Sequence, residues 1–202
     1  MNEEEKTEPM KEWGYRFLKP ILSPIFKLYY RPKIYGREVI PTEGPIILAG
    51  NHKHILDQCL VIISTKRVIH YMAKKEYFDG PFAWFFKIVG AISVDRSVHD
   101  EEAKRKAKTV LQNSKSLGIF PEGTRNKTKA ALLPFKKGTV RLAQENDATI
   151  IPFAIKGEYK FWKNDLRIIF GSPFKVSKNE DLNTANERLY RSIEKILLDE
   201  NF

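Results

Sequence analysis

Asn51-His52-Lys53-His54-Ile55-Leu56-Asp57 brings together residue types suited to proton transfer. An imidazole can take a proton from a hydroxyl near neutral pH, and a carboxylate can fix its tautomer and steady the imidazolium that forms. The spacing sets a condition. Five residues on an ideal helix rotate by about 140°, so His52 and Asp57 cannot share one helical face. They meet only if His52 lies on the turn before a helix and Asp57 just inside it. Gly50 and Asn51 suit such a turn. The bland alternative makes His52 a loop residue and Asp57 an ordinary helix-start carboxylate. His54 is a rival base, three residues before Asp57. His52, His54 and Asp57 could also ligate a metal ion, but no Cys–His cluster supports that, and no metal is expected.

Phe120-Pro121-Glu122-Gly123-Thr124-Arg125 follows a short apolar run. Pro and Gly impose a turn that leaves the N–H groups of Gly123 and Thr124, and the Arg125 guanidinium, free to face one anion. Arginine suits bidentate phosphate recognition. Glu122 fits beside an anion only if it pairs with Arg125 or a lysine. Gly90-Ala91-Ile92-Ser93-Val94-Asp95-Arg96 is another apolar run ending in charge, and Lys74 and Lys75 end a third. Taken alone, these cations read as surface charge at strand ends. Pro81–Val89 (PFAWFFKIV) could line an acyl channel, touch a membrane or fill the core. Ile150–Ala154 reads as an inner strand distorted by Pro152. Cys59 lies in an apolar run without a matched base and reads as a structural thiol.

The elements that must position these groups alternate. Apolar runs at Pro45–Ala49, Val68–Met72, Ala91–Val94, Leu117–Phe120, Thr149–Ile155 and Leu166–Phe170 suit strands buried on both faces. Helical patterns lie between them. Asp100 can cap a helix running to about Ser116, with Glu101 and Glu102 in its first turn and Gly118 ending it. Phe135–Asn146 reads as a helix, and Thr184 and Glu187 form a capping box for a last one. This alternation predicts an α/β fold with a mixed, mainly parallel sheet flanked by helices. The motifs then fall at the carboxyl ends of strands, where open α/β sheets place their sites.

The organisation has two parts, residues 1–31 and 32–202. Residues 1–11 read as a charged tail. Within 12–31, Leu18, Ile21, Leu22, Ile25, Leu28 and Tyr29 recur at helical spacing, flanked by Arg16, Lys19, Lys27 and Arg31. An apolar stripe edged by cations and aromatics suits the headgroup boundary of a bilayer. Pro20 and Pro24 predict two short helices with a kink. The plain alternative is a helix packed on the core.

Composition narrows the classes. The chain has 202 residues, 42% hydrophobic and 30% charged, which fits one globular domain and not a disordered chain. Its single cysteine permits no internal disulfide and points to a reducing compartment. No run approaches the roughly 20 apolar residues of a membrane span, and Met1–Lys11 is too acidic and polar for a cleavable signal. With 35 Lys+Arg against 25 Asp+Glu, the formal charge is +10. That favours a polyanion: nucleic acid, an anionic leaflet or an acidic carrier protein.

The four blocks in this order resemble the glycerolipid acyltransferase family that includes the bacterial lysophosphatidate acyltransferases, the PlsC-like proteins. Asn51-His52…Asp57 is similar to its His-four-residues-Asp block. Ala91–Arg96, Phe120–Arg125 and Ile151-Pro152 are similar to its second, third and fourth blocks. Gly36-Arg37-Glu38-Val39-Ile40-Pro41 and Leu133–Gly138 fit too, and the resemblance covers residues 34–156. It implies a glycerol-phosphate acyltransferase type of fold, with His52 as general base and Asp57 as its partner. It further implies that Arg125 binds the acceptor phosphate, with Lys74, Lys75, Arg96 and Thr124 nearby, while Glu122 and Gly123 shape the acceptor pocket. The implied reaction moves an acyl group from a thioester to 1-acylglycerol 3-phosphate (lysophosphatidic acid), giving phosphatidic acid. Coenzyme A or acyl carrier protein carries the thioester as co-substrate, with no other cofactor. The implied setting is the cytoplasmic face of a membrane, peripheral and monotopic, with no nucleic acid partner. Glycerol 3-phosphate or another lysophospholipid remains an alternative acceptor. A non-catalytic basic membrane-binding module is the alternative of a different class.

Overall fold

The apolar runs become neighbouring strands of one seven-stranded sheet. A computed structural model describes residues 12–81, 83–95, 98 and 100–201. The strands are β1 (Lys33–Tyr35), β2 (Ile46–Gly50), β3 (Ile69–Lys74), β4 (Ile92–Val94), β5 (Ser116–Ile119), β6 (Thr149–Lys156) and β7 (Arg167–Phe170). Their spatial order is β1-β7-β6-β2-β5-β3-β4. β2, β3, β4, β5 and β6 run parallel; β7 is antiparallel to β6, and β1 lies parallel to β7 at the edge. Every residue of the central β2 is buried, as a strand covered on both faces requires.

The helices are α1 (Trp13–Tyr30), α2 (Asp57–Ser64), α3 (Glu76–Asp79), α4 (Ala83–Ile88), α5 (Glu101–Gln112), α6 (Gly138–Glu145) and α7 (Leu182–Leu198). Alternate residues of β2 serve opposite cores. Ile47 and Ala49 pack with Ala107 of α5, Val140 of α6 and Leu189 of α7. Ile46 and Leu48 pack with Leu60 of α2 and Phe153 of β6, against which Phe26 and Tyr30 of α1 lie. The sheet is therefore mixed, mainly parallel and flanked by helices, as the alternation predicts.

Several boundaries differ from the expectation. α5 takes Asp100 as its cap, whose carboxylate accepts from Ala103 N, but ends at Gln112 and not near Ser116. Ser114 turns left-handed (φ 55°), which frees Ser116 onward to pair with β2 and β3. Gly118 thus sits inside β5 and terminates no helix; a Cβ there would strike the Tyr71 ring. α6 starts at Gly138, three residues later than expected, because the Lys136 N–H is taken by Pro121 O (2.9 Å). The capping box at Thr184 and Glu187 does not form. Asp181 caps α7 instead, accepting from Asn183 and Thr184 N–H, so both box residues fall inside the helix. The three-residue edge strand β1 is too short to show a period.

The N-terminal segment is one helix, not two. Pro20 and Pro24 both lie within α1 on its exposed side, so the missing N–H groups fall away from the domain. The inner side is tethered. Tyr15, 5% exposed, donates to Arg67 O and accepts from Ile69 N, each at 3.2 Å. Lys19 Nζ donates to Thr65 O (2.5 Å) and Arg67 O (3.2 Å). Glu12, at the start of α1, gathers Arg16, His70 and Lys115. The charged tail, residues 1–11, lies outside the described residues.

Two clamps hold the turn between β2 and α2. The Asn51 amide donates to Ile155 O (3.0 Å) and accepts from Ile155 N (2.7 Å). Glu122, 4% exposed, accepts from His52 N (2.8 Å) and Leu133 N (2.9 Å). Burial pushes the Glu122 carboxyl above its ordinary 4.5, only partly opposed by those two N–H groups. A raised carboxyl pKa means that the folded protein holds the proton more tightly than the unfolded chain. This contribution to stability is present below about pH 4.5 and is lost as pH rises through the folded pKa. Glu122→Gln removes that dependence. The stability advantage of wild type over Glu122→Gln, measured by urea unfolding, is expected to shrink across that window. A difference that stays flat with pH would contradict this origin.

Candidate active site

Because β2, β3, β4, β5 and β6 run the same way, the chain leaves all five at one edge. β2 leads to His52, β5 to Phe120 and β6 to the loop 157–166. α2 begins at Asp57, so His52 stands on the preceding turn and the spacing condition is met. His52 Nδ1 lies 2.8 Å from Asp57 Oδ2. A carboxylate only accepts, so Nδ1 carries the hydrogen and Nε2 presents its lone pair. Nε2 has no partner among the described residues, and the ring stacks on Phe120 with centroids 4.1 Å apart.

Asp57 is fully buried. Its Oδ2 also accepts from Lys53 N (2.7 Å) and His54 N (2.8 Å), and its Oδ1 accepts from the Tyr159 hydroxyl (2.8 Å). Tyr159 has no signal in the sequence. It stands 102 residues from Asp57 in a polar loop, and only the pairing of β6 beside β2 brings the two together. Burial first, and the Asp57 charge second, push its phenol well above the ordinary value, so it remains a donor. Its ring stacks on His54 (4.4 Å), and Lys53 Nζ bonds Gly157 O to hold the loop. His54 is therefore turned away from the role of base: its Nδ1 accepts from Leu56 N. Among the described residues, no three His, Cys, Asp or Glu side chains are arranged to hold a metal ion.

His52 opens onto a cavity of about 760 Å³. Its walls are largely apolar: Tyr15, Leu22 and Phe26 of α1, Cys59 and Ile62 of α2, and Phe85 and Phe86 of α4. Burial, with the Asp57 charge second, pushes the Cys59 thiol up to about 11, which keeps it a thiol at neutral pH. Lys74, Thr124 and Arg125 line the same cavity. Arg125 is exposed and has no ion-pair partner among the described residues; Lys74 lies 3.2 Å from Glu76. The other predicted residues sit elsewhere. Lys75 faces Asp95 at 3.7 Å. Glu122 turns inward to the two N–H groups above, pairing with neither Arg125 nor a lysine. Gly123, at φ 69°, packs against the Lys136 side chain. None of these three lines the cavity. Arg96 lies outside the described residues.

The arrangement joins an oriented imidazole, a long apolar cleft and two cations. It can deprotonate a hydroxyl on an amphiphile whose anionic end meets Arg125 and Lys74.

A family model described as Acyltransferase matches residues 31–156. A 1-acyl-sn-glycerol-3-phosphate acyltransferase of Bacillus subtilis is 30% identical over 165 residues, covering 79% of this chain and 81% of that protein. One from Borreliella burgdorferi is 33% identical over 146 residues, 71% of this chain and 57% of its own. The crystal structure of the 1-acyl-sn-glycerophosphate acyltransferase PlsC from Thermotoga maritima shares the fold. Its TM-score is 0.68 at 21% identity, over 92% of this chain and 83% of that one. The order of the blocks, the meeting of the first and third at one sheet edge and these matches agree: the chain belongs to the acyltransferase family.

Proposed function

We propose that this protein transfers a fatty acyl group from a thioester to the free hydroxyl of 1-acylglycerol 3-phosphate, giving phosphatidic acid for phospholipid synthesis. The observation that carries the reading is the 2.8 Å contact between His52 and Asp57 at the wall of an apolar cavity that also holds Arg125. The names of the relatives support the acceptor. The cavity suits two kinds of chain, the acyl group to be moved and the one already on the acceptor.

In this mechanism His52 Nε2 removes the acceptor hydroxyl proton as that oxygen attacks the thioester carbonyl. Asp57 steadies the imidazolium, and Tyr159 and the two N–H groups hold Asp57. The tetrahedral intermediate collapses, and the thiol leaves with the proton returned from His52. No acyl-enzyme forms, in keeping with the elevated pKa of Cys59. Arg125 and Lys74 bind the acceptor phosphate. The donor is coenzyme A or acyl carrier protein, both anionic and both suited to a chain of charge +10. The reaction is set at the cytoplasmic face of a membrane, where the acceptor resides. The exposed apolar residues of α1 support this, and no described helix is long and apolar enough to cross a membrane.

Thiol release from acyl-coenzyme A and from acyl carrier protein, each with lysophosphatidate or glycerol 3-phosphate, tests the reading. The expected result is lysophosphatidate-dependent release with at least one donor. Salt-sensitive vesicle binding without thiol release would instead favour the non-catalytic module. His52→Ala is expected to lower kcat by about 10²–10⁴-fold with the fold intact; near-normal turnover would remove His52 from the mechanism. Arg125→Ala is expected to raise the acceptor KM by about ten- to a hundredfold, the loss of one charge-assisted contact. An unchanged KM would place the phosphate elsewhere. Tyr159→Phe deletes one bond to Asp57 and is expected to lower kcat by about three- to tenfold with KM unchanged. A change in KM alone would assign Tyr159 to binding.

A further inference from the structure

The apolar face of α1 does not stop at the end of the helix. Trp13, Phe17, Ile21 and Leu28 form an outward stripe, with Ile25 where it meets the cavity rim, each at least 48% exposed. Tyr29 continues it, and the Phe161 ring lies 4.7 Å from the Tyr29 ring. Phe161 and Trp162 belong to the loop joining β6 to β7 and are 60% and 50% exposed. Trp162 has a φ of 57°, a left-handed backbone that a bulky side chain enters only under constraint. Two contacts supply it: Trp162 N donates to Tyr29 O (3.2 Å), and the Arg31 guanidinium sits 3.7 Å over the indole. Neither ring enters the core. The fold thus holds a constrained turn that presents two large aromatics beside an apolar helix face.

We propose that this loop is a second membrane anchor. In it, Phe161 and Trp162 enter the headgroup boundary of an anionic bilayer together with the outer face of α1. The inference rests on the peripheral-membrane reading above and extends it to an element far from α1 in sequence. Charge fits that partner. Lys27 and Arg31 have no acidic partner among the described residues, and Lys33 beside them is exposed. The nearby acids, Glu158 and Asp165, are already matched by Lys160 and Lys163. The aromatics are also placed at both ends of the helix. α1 is about 27 Å long, with Trp13 at its start and the Tyr29–Phe161–Trp162 group at its finish. Rings at each end lay an amphipathic helix flat in the boundary, where an indole has one apolar and one polar side to satisfy. The loop's inward residue, Tyr159, holds Asp57, so a seated tip brings the catalytic edge to the lipid surface.

The test uses the full chain and vesicles of phosphatidylglycerol with phosphatidylethanolamine. In one arm, Phe161→Ser combined with Trp162→Asn is compared with wild type by vesicle flotation; Asn tolerates the left-handed backbone. Binding is expected to weaken by about tenfold or more. Transfer to a short-chain, water-soluble lysophosphatidate should stay unchanged. In the second arm, Trp13→Phe with Trp84→Phe leaves Trp162 as the sole indole. Its fluorescence should be quenched by brominated lipid in the vesicles, an outcome that does not depend on the double variant folding. Equal vesicle binding by the double variant, or an unquenched Trp162, would overturn the anchor. A wild type that binds no vesicle would overturn the anchor and the peripheral reading together. Absent transfer by wild type would strike the proposed reaction alone, because the binding arms decide the anchor without turnover.

Discussion

Asp57 is a carboxylate with no exposed surface, and its two oxygens accept from four donors. A buried charge without such partners costs several kcal/mol, so these four contacts are a condition of the fold as much as of the chemistry. Two donors are the backbone N–H groups of Lys53 and His54, on the turn that precedes α2. The third is His52, which thereby receives its orientation and tautomer. The fourth is Tyr159, which reaches in from the far loop. Satisfying one interior carboxylate therefore fixes the turn after β2, the imidazole on it and the loop after β6.

That constraint works because the sheet is parallel where it matters. β5, β2 and β6 are adjacent and co-directional, with Ala49 opposite Ile119 and Gly50 opposite Phe153. Neighbouring strands lie roughly 4.8 Å apart, so their exit loops meet as a matter of geometry. Clamps then remove the remaining freedom. Asn51 bridges to Ile155, Glu122 holds the backbone of His52 and Leu133, and Asn126 N donates to His52 O at 2.6 Å. Glu122 belongs to this framework, whereas its motif neighbours Thr124 and Arg125 line the cavity.

α1 completes the site without belonging to the sheet. One side of it closes the cavity and is pinned by Tyr15 and Lys19; the other leaves apolar residues in contact with solvent. The core-packed reading of its sequence holds for the inner face, where Phe26 and Tyr30 lie against the core, while the outer face is exposed. Its two prolines are compatible with one helix because they share the outer face and docking on the inner face offsets the lost hydrogen bonds.

Sequence by itself determined the periodic elements and the chemistry-bearing blocks. Apolar runs and turn residues act locally, so the inner strands and the Asp100 cap were legible, while the spacing of His52 and Asp57 set only a condition that the turn before α2 meets. Helix ends were not, because they were set by competing partners: Lys136 by Pro121, the box at Thr184 by Asp181, and Gly118 by the sheet. Tertiary structure alone decided which groups share the site. It brought Tyr159 to Asp57, turned Glu122 inward and left Arg125 at the cavity. It also set Phe161 against Tyr29. The physical reason is separation along the chain: contacts between residues a hundred positions apart leave no period, and only strand order brings such residues within a hydrogen bond of each other.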